Sequence, residues 1–159
     1  MTTPEERLAE LGLELPQIAK PVASYVPAVR SGNYVYTSGQ LPSVSGELVA
    51  VGKVGTAPGA AVSPETANAA ARVCALNALA AVRGVAGELS NVVRVVKVVG
   101  FVASAPDFTG QSGVVNGASD LLGEVFGSDV GAHARSAVGV AALPLDAPVE
   151  VELVVEVRD

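Results

Sequence analysis

The chain has no tryptophan, one cysteine, one histidine, three tyrosines and three phenylalanines among 159 residues. A single cysteine, Cys74, excludes an internal disulfide and any cysteine-based zinc cluster. One histidine, His133, with no cysteine cluster beside it, leaves no ligand set for a transition metal, so no metal is expected. The shortage of aromatics leaves few platforms on which bases could stack. Charge is scarce too, at 16% of residues, and its balance of −6 has the wrong sign for binding a phosphate backbone. No uncharged apolar run approaches the roughly 18 residues of a membrane span. The N-terminal stretch MTTPEERLAELGLEL has neither the basic nor the apolar region of a signal peptide. Together these absences predict a cytoplasmic protein with no nucleic-acid partner and no membrane partner.

What is abundant is small and apolar. Half the residues are hydrophobic and the mean hydropathy is +0.46. The length predicts a single domain over 1–159, which can bury roughly 70% of its unfolded surface without staples. The apolar surplus predicts burial between subunits.

Residues 4–11, PEERLAEL, suit a short amphipathic helix within an N-terminal extension over 1–20. LPQIAKP then reads as an extended connector, because Pro16 and Pro21 resist helix. SYVPAV and YVYTSGQ flank a Ser-Gly-Asn turn at 31–33 and predict a β-hairpin. Residues 41–62, rich in Gly, Pro and Ser, read as a long loop with one short strand. Ser63-Pro64-Glu65 starts a helix, with a capping hydroxyl, proline in the first turn and an acid beside it. Its stripe is Ala67, Ala70, Ala71, Cys74, Ala78 and Val82, and Gly84 is the expected stop. Cys74 on that stripe reads as a buried, inert thiol.

NVVRVVKVVGFVAS has a period-3 flavour, but its valine density predicts a strand with both faces covered. Alternation puts Val93, Val95, Val99 and Phe101 on one face and Val96, Val98 and Val102 on the other. Pro106-Asp107 is the expected start of a second helix, striped by Val114, Ala118, Leu121, Leu122 and Val125 and ended by Gly127. Strands follow at 135–143 and 149–157. In the last, Val149, Val151, Leu153, Val155 and Val157 alternate with Glu150, Glu152, Val154 and Glu156. The order ββ-(β)-α-β-α-ββ predicts an α+β fold, a mixed sheet with two helices packed on one face. Nothing in the chain remains to cover the other face, so a ring-like homo-oligomer is expected.

The candidate site residues are few. Arg135 opens an apolar strand, where a guanidinium fork could pair a small carboxylate; spacing alone also fits a solvated strand-terminal arginine. Glu150, Glu152 and Glu156 fit either the polar face of a strand or, for one of them, a base that positions water. Tyr25, Ser38 and Asn116 could each supply a hydrogen bond, or be a strand aromatic, a strand-end hydroxyl and a solvated amide. His133 reads as a loop residue without a role. The pattern Gly-x-Ser-x-Gly of a nucleophile elbow is missing, and GKVG lacks the phosphate-loop pattern.

YVYTSGQLP (34–42), PDF at 106–108, Val115-Asn116, HARSAVGVAALP (133–144) and VEVELVVEV (149–157), in that order and spacing, resemble the reactive intermediate deaminase family of YjgF-type proteins, also labelled endoribonuclease L-PSP. The resemblance spans about 21–157, nearly the whole chain. It implies a chorismate-mutase-like fold and a homotrimer with clefts between subunits. It implies hydrolysis of enamines and imines derived from amino acids to 2-keto acids and ammonia, with no metal or cofactor. By the same resemblance Arg135 would hold the substrate carboxylate and Glu150 would orient the attacking water. Tyr25, Ser38, Gly39, Asn116 and the backbone at Ala137 would line the cleft. Many members carry Phe-Pro-Ala-Arg-Ser-Cys where this chain has Ala132-His133-Ala134-Arg135-Ser136-Ala137, which alters the rim near 132–133, and the longer 41–62 loop with the added N-terminal segment marks a longer subgroup. The alternatives to a deaminase are a non-catalytic trimer that binds small carboxylates and an RNA-cleaving or translation-inhibiting protein.

Overall fold

Val92, Val95 and Val98 recur every third residue, and the computed structural model, which describes residues 1–18 and 24–159, shows why. They lie on strand β5 (Val92–Ala103), which pairs antiparallel with β7 (Val149–Val157). The register shifts between Val92 and Arg94 and again between Val95 and Lys97. Each shift inserts one extra β5 residue, a β-bulge, so Val92, Val95 and Val98 meet Val157, Val155 and Leu153 in turn and all face inward. Strict alternation therefore misassigns Val95, which shares the buried face with Val98 and Val102. Beyond the bulges the period of two resumes, and Val99 and Phe101 are only half-buried on the other face.

The sheet order is β1-β2-β7-β5-β6, with β1 (Ala28–Ser31), β2 (Tyr34–Thr37) and β6 (Ala134–Val140). Neighbours are antiparallel except β5 and β6, whose parallel pairing needs the crossover through α3 (Gln111–Val130). The α2 helix (Pro64–Ala86) connects β2 to β5. Both helices pack on one face of a mixed α+β sheet, as expected, and a third, α1 (Pro4–Glu10), packs against α3. The α1 helix is anchored by Glu5, whose carboxylate accepts the backbone N–H of Leu89 at 2.6 Å. Residues 19–23, which include the last three residues of the predicted connector, lie outside the described residues.

Ser63 caps α2 as expected, and the alanine stripe is fully buried. By length and composition α2 could cross a membrane, yet half of its most apolar stretch is buried in the protein as a core helix. Its small side chains bring it close enough for Cys74 Sγ to reach the Val149 carbonyl at 3.7 Å. Burial, followed by the Glu150 charge, pushes that thiol's pKa up, which fits an inert role. The helix does not stop at Gly84. It runs to Ala86 and ends at Gly87 (φ 85), while Gly84 leaves the room occupied by the Ile18 side chain.

The α3 helix starts at Gln111, not at Pro106-Asp107, which form a preceding turn. Gly127 breaks its helical backbone (φ 82), and one further turn reaches Val130. Within 41–62 the chain forms two short paired strands rather than one, β3 (Ser43–Val44) and β4 (Glu47–Leu48). Val54 and Val62 pin this segment into the core. The β6 strand ends at Val140, because the backbone leaves the sheet before Leu143.

Candidate functional site

Among the described residues the edge strand β6 pairs only with β5, and it places Arg135 opposite Val98, so its side chain points to the helix side of the sheet. There the half-buried guanidinium lies along α3. Nη1 donates to Asn116 Oδ1 at 2.7 Å and to Ser119 Oγ at 3.2 Å, and Nη2 donates to the Ser112 carbonyl at 3.4 Å. These three bonds use three of the five guanidinium donors. Nε–H and one Nη2 hydrogen have no partner among the described residues. Ala137 and Gly139 follow on the same face and leave a small-residue floor beside the arginine, with Ala137 opposite Gly100. Arg135 is therefore bonded to α3 as well as partly open to solvent, and Asn116, which is exposed, has its amide oxygen on the guanidinium.

Glu150 lies on the opposite face, paired with Phe101 and alternating with the buried Val149 and Val151. Its carboxylate rests against Gly39, where any Cβ would collide with Glu150 Oε1. Burial, followed by the neighbouring Glu152 charge, raises its pKa from the ordinary 4.5. Ser38 fixes the approach of this segment, since its Oγ donates to the Val26 carbonyl at 2.6 Å and its N–H to the Pro27 carbonyl at 2.8 Å. Gln40 then pairs with Val151 through two backbone bonds. Tyr25, one residue before Val26, is exposed on the same connection.

The predicted residues thus fall into two groups. Arg135, Asn116 and Ala137 gather at the α3–β6 edge, and Glu150, Gly39 and Ser38 gather on the uncovered face, while Tyr25 is exposed ahead of β1. One chain does not bring the two groups together. That uncovered face also carries Val29, Tyr36, Phe101, Val138 and Val154, of which Val29, Tyr36 and Val138 are exposed.

Sequence reasoning passed over Ser119 and His133. Ser119 Oγ lies 2.9 Å from His133 Nε2, and His133 Nδ1 lies 2.6 Å from the Gly131 carbonyl, so the histidine is not idle. A helical hydroxyl one turn from Asn116 was the available signal, because Asn116 and Ser119 share a helix face at i, i+3.

A bulged mixed sheet with two helices on one face, and an arginine on the edge strand held by the second helix, define the chorismate-mutase-like α+β class. The chain belongs to the family described as "YjgF/chorismate mutase-like, putative endoribonuclease", which it matches over residues 5–157. It is 46% identical over 152 residues to Protein TCP17 of Trypanosoma cruzi, covering 96% of this chain and 92% of that one. Among solved structures it resembles the protein Atu1372 of Agrobacterium tumefaciens, whose function is unknown, with 46% identity, coverage of 98% and 92%, and a TM-score of 0.85. It also resembles a protein from Shewanella oneidensis MR-1 that carries the same endoribonuclease label, with 34% identity, coverage of 98% and 99%, and a TM-score of 0.91.

Proposed function

We propose that the protein is an enamine/imine deaminase that converts reactive imino acids to 2-keto acids and ammonia. The observation that carries this reading is the state of Arg135, with one side spent on α3 and two donors left over. A guanidinium held this way is prepared to take a planar carboxylate bidentately. Because Glu150 faces the other way, the working cleft forms where the Arg135 edge of one copy meets the Glu150 face of another, most simply in a ring of three. Tyr25, Ser38 and Gly39 would line the Glu150 side, and Asn116 and the Ala137 backbone the arginine side.

An imine carbon is already electrophilic, so the protein supplies mainly position and a proton path. Water adds to the C=N carbon while Glu150 accepts a proton from it. The same carboxyl returns that proton to nitrogen, giving a carbinolamine; it then takes the carbinolamine hydroxyl proton and passes it to the amine as the C–N bond breaks, so ammonia leaves and the C=O of a 2-keto acid forms. Burial, followed by the Glu152 charge, raises the Glu150 pKa, the direction that helps a carboxyl hold a proton as well as accept one.

The opposed placement of Arg135 and Glu150 favours one second reading. Without a composite cleft, the arginine edge is a carboxylate-binding site with no turnover. The family's endoribonuclease label raises RNA as a substrate. The net charge of −6 and the glutamates 150, 152 and 156 on the uncovered face oppose it.

The test is ammonia release from 2-iminopropanoate generated in place, with an RNA digest run in parallel. Release above the spontaneous rate is expected, with RNA left intact. Carboxylate binding without release selects the second reading. Cleaved RNA without ammonia release overturns both.

A further inference from the structure

We propose that Ser119 and His133 act together as a positioning relay that locks the Arg135 guanidinium for carboxylate recognition, which rests on Arg135 being the anchor. Hydrogen-bond chemistry fixes the direction of the relay. The Gly131 carbonyl can only accept, so the 2.6 Å contact requires a proton on His133 Nδ1. In the neutral ring Nε2 then carries a lone pair and accepts the Ser119 hydroxyl proton at 2.9 Å. With its own proton committed, Ser119 Oγ turns lone pairs toward Arg135 Nη1 at 3.2 Å. The order of donation is Arg135 to Ser119 to His133 to the Gly131 carbonyl.

The far end is rigid. A Cβ on Gly131 would meet the carbonyls of Gly127 at 2.6 Å and Leu122 at 2.7 Å, so only glycine fits there. Its N–H is bonded to the Gly127 carbonyl at 2.9 Å. The final turn of α3 thus sets the histidine, the histidine sets the hydroxyl, and the hydroxyl, with Asn116, occupies both hydrogens of Nη1. What stays open is the Nε–Nη2 side, so a ligand must bring two acceptor oxygens in one plane. A carboxylate does this, while an amide or an alcohol does not. Neither Ser119 nor His133 touches the ligand in this arrangement. Both act through Arg135.

The chain has one histidine, so an imidazole 1H–15N correlation spectrum reports this residue alone. We expect Nδ1 protonated and Nε2 bare in the wild type, and loss of that single form in Ser119→Ala. A ring protonated at Nε2 overturns the relay whatever the protein catalyses. Pyruvate affinity, measured by calorimetry, supplies the second arm. Ser119→Ala and His133→Ala should each weaken pyruvate binding about tenfold, the scale of one lost hydrogen bond, while Ser119→Thr, which keeps the hydroxyl, restores it. Unchanged binding in both alanine variants, with binding lost in Arg135→Ala, overturns the relay and leaves the anchor standing. Unchanged binding in Arg135→Ala overturns the anchor itself. Should Ser119→Ala fail to fold, the wild-type spectrum and the Thr variant still decide.

Discussion

Arg135 and Glu150 lie on opposite faces of the same sheet, with β5 between their strands. Arg135 pairs with Val98 on the helix side, and Glu150 pairs with Phe101 on the uncovered side. No side-chain rotation brings them into one cleft, because a strand's alternation assigns each residue to a face. A site that uses both must draw them from different copies of the chain.

That geometry predicts complementation. Arg135→Ala and Glu150→Gln should each be inactive alone. Denatured together in equal amounts and refolded, they should recover activity, with about one cleft in four pairing an intact arginine with an intact glutamate. Ammonia release from the mixture checks it. A refolded mixture no more active than its components would place both residues in one subunit's site or in none.

Arg135→Ala alone should lower kcat/KM by about 100-fold or more, since two charge-assisted bonds to a carboxylate are lost. The thermal midpoint should stay close to that of the wild type, because the side chain is only half-buried at a sheet edge. Arg135→Lys should recover little, since a single ammonium cannot reproduce the fork. Steady-state kinetics beside a melt separates lost chemistry from lost fold.

Stability should depend on pH through Glu150. Burial and then the Glu152 charge raise its pKa, so the folded chain holds this proton more tightly than the unfolded one. The resulting stabilisation is fully present below the ordinary 4.5 and is lost as pH rises from there through the raised folded value. Glu150→Gln, which cannot ionise, should show a flatter profile. Melts taken across the carboxylate range and up to neutrality test this, and parallel profiles in the two proteins would refute it.

Gly100→Ala should destabilise the fold by about 2 kcal/mol, the usual scale of overpacking, and lower the melting temperature by about 4–8 °C. A Cβ there would meet both methyl groups of Val115, so α3 would have to lift from β5. The same lift would disturb Arg135, whose partners Ser112, Asn116 and Ser119 all ride on α3. Differential scanning calorimetry gives the stability term, and a variant that melts like the wild type would show that α3 shifts freely.

Much of the frame was legible because it rests on local rules. The alternation of Val149 to Val157 reads as a one-sided strand, and the structure buries those same five residues. Ser63 and Pro64 mark the start of α2, and its alanine stripe marks the face that meets the sheet. The glycines were less readable. Gly84 and Gly87 look alike as stop signals, but only Gly87 takes the positive φ of a helix end, while Gly84 makes room for Ile18. That choice depends on a residue 66 positions away, which no local window contains.

By itself, the sequence determined the class of elements, the single-sided packing of the last strand, the inertness of Cys74 and the acidic balance that disfavours nucleic acid. These follow from side-chain period, propensity and charge, which act over a few residues. Only the tertiary structure decided that two bulges turn Val95 inward, that Arg135 is hydrogen-bonded to α3, that His133 stands behind it, and that Glu150 faces away. Each of these depends on register between distant segments, which is set when strands pair and helices dock. Hydrogen bonds of Arg135 to residues 16, 19 and 23 positions earlier in the chain exist only once β5 and β6 have aligned.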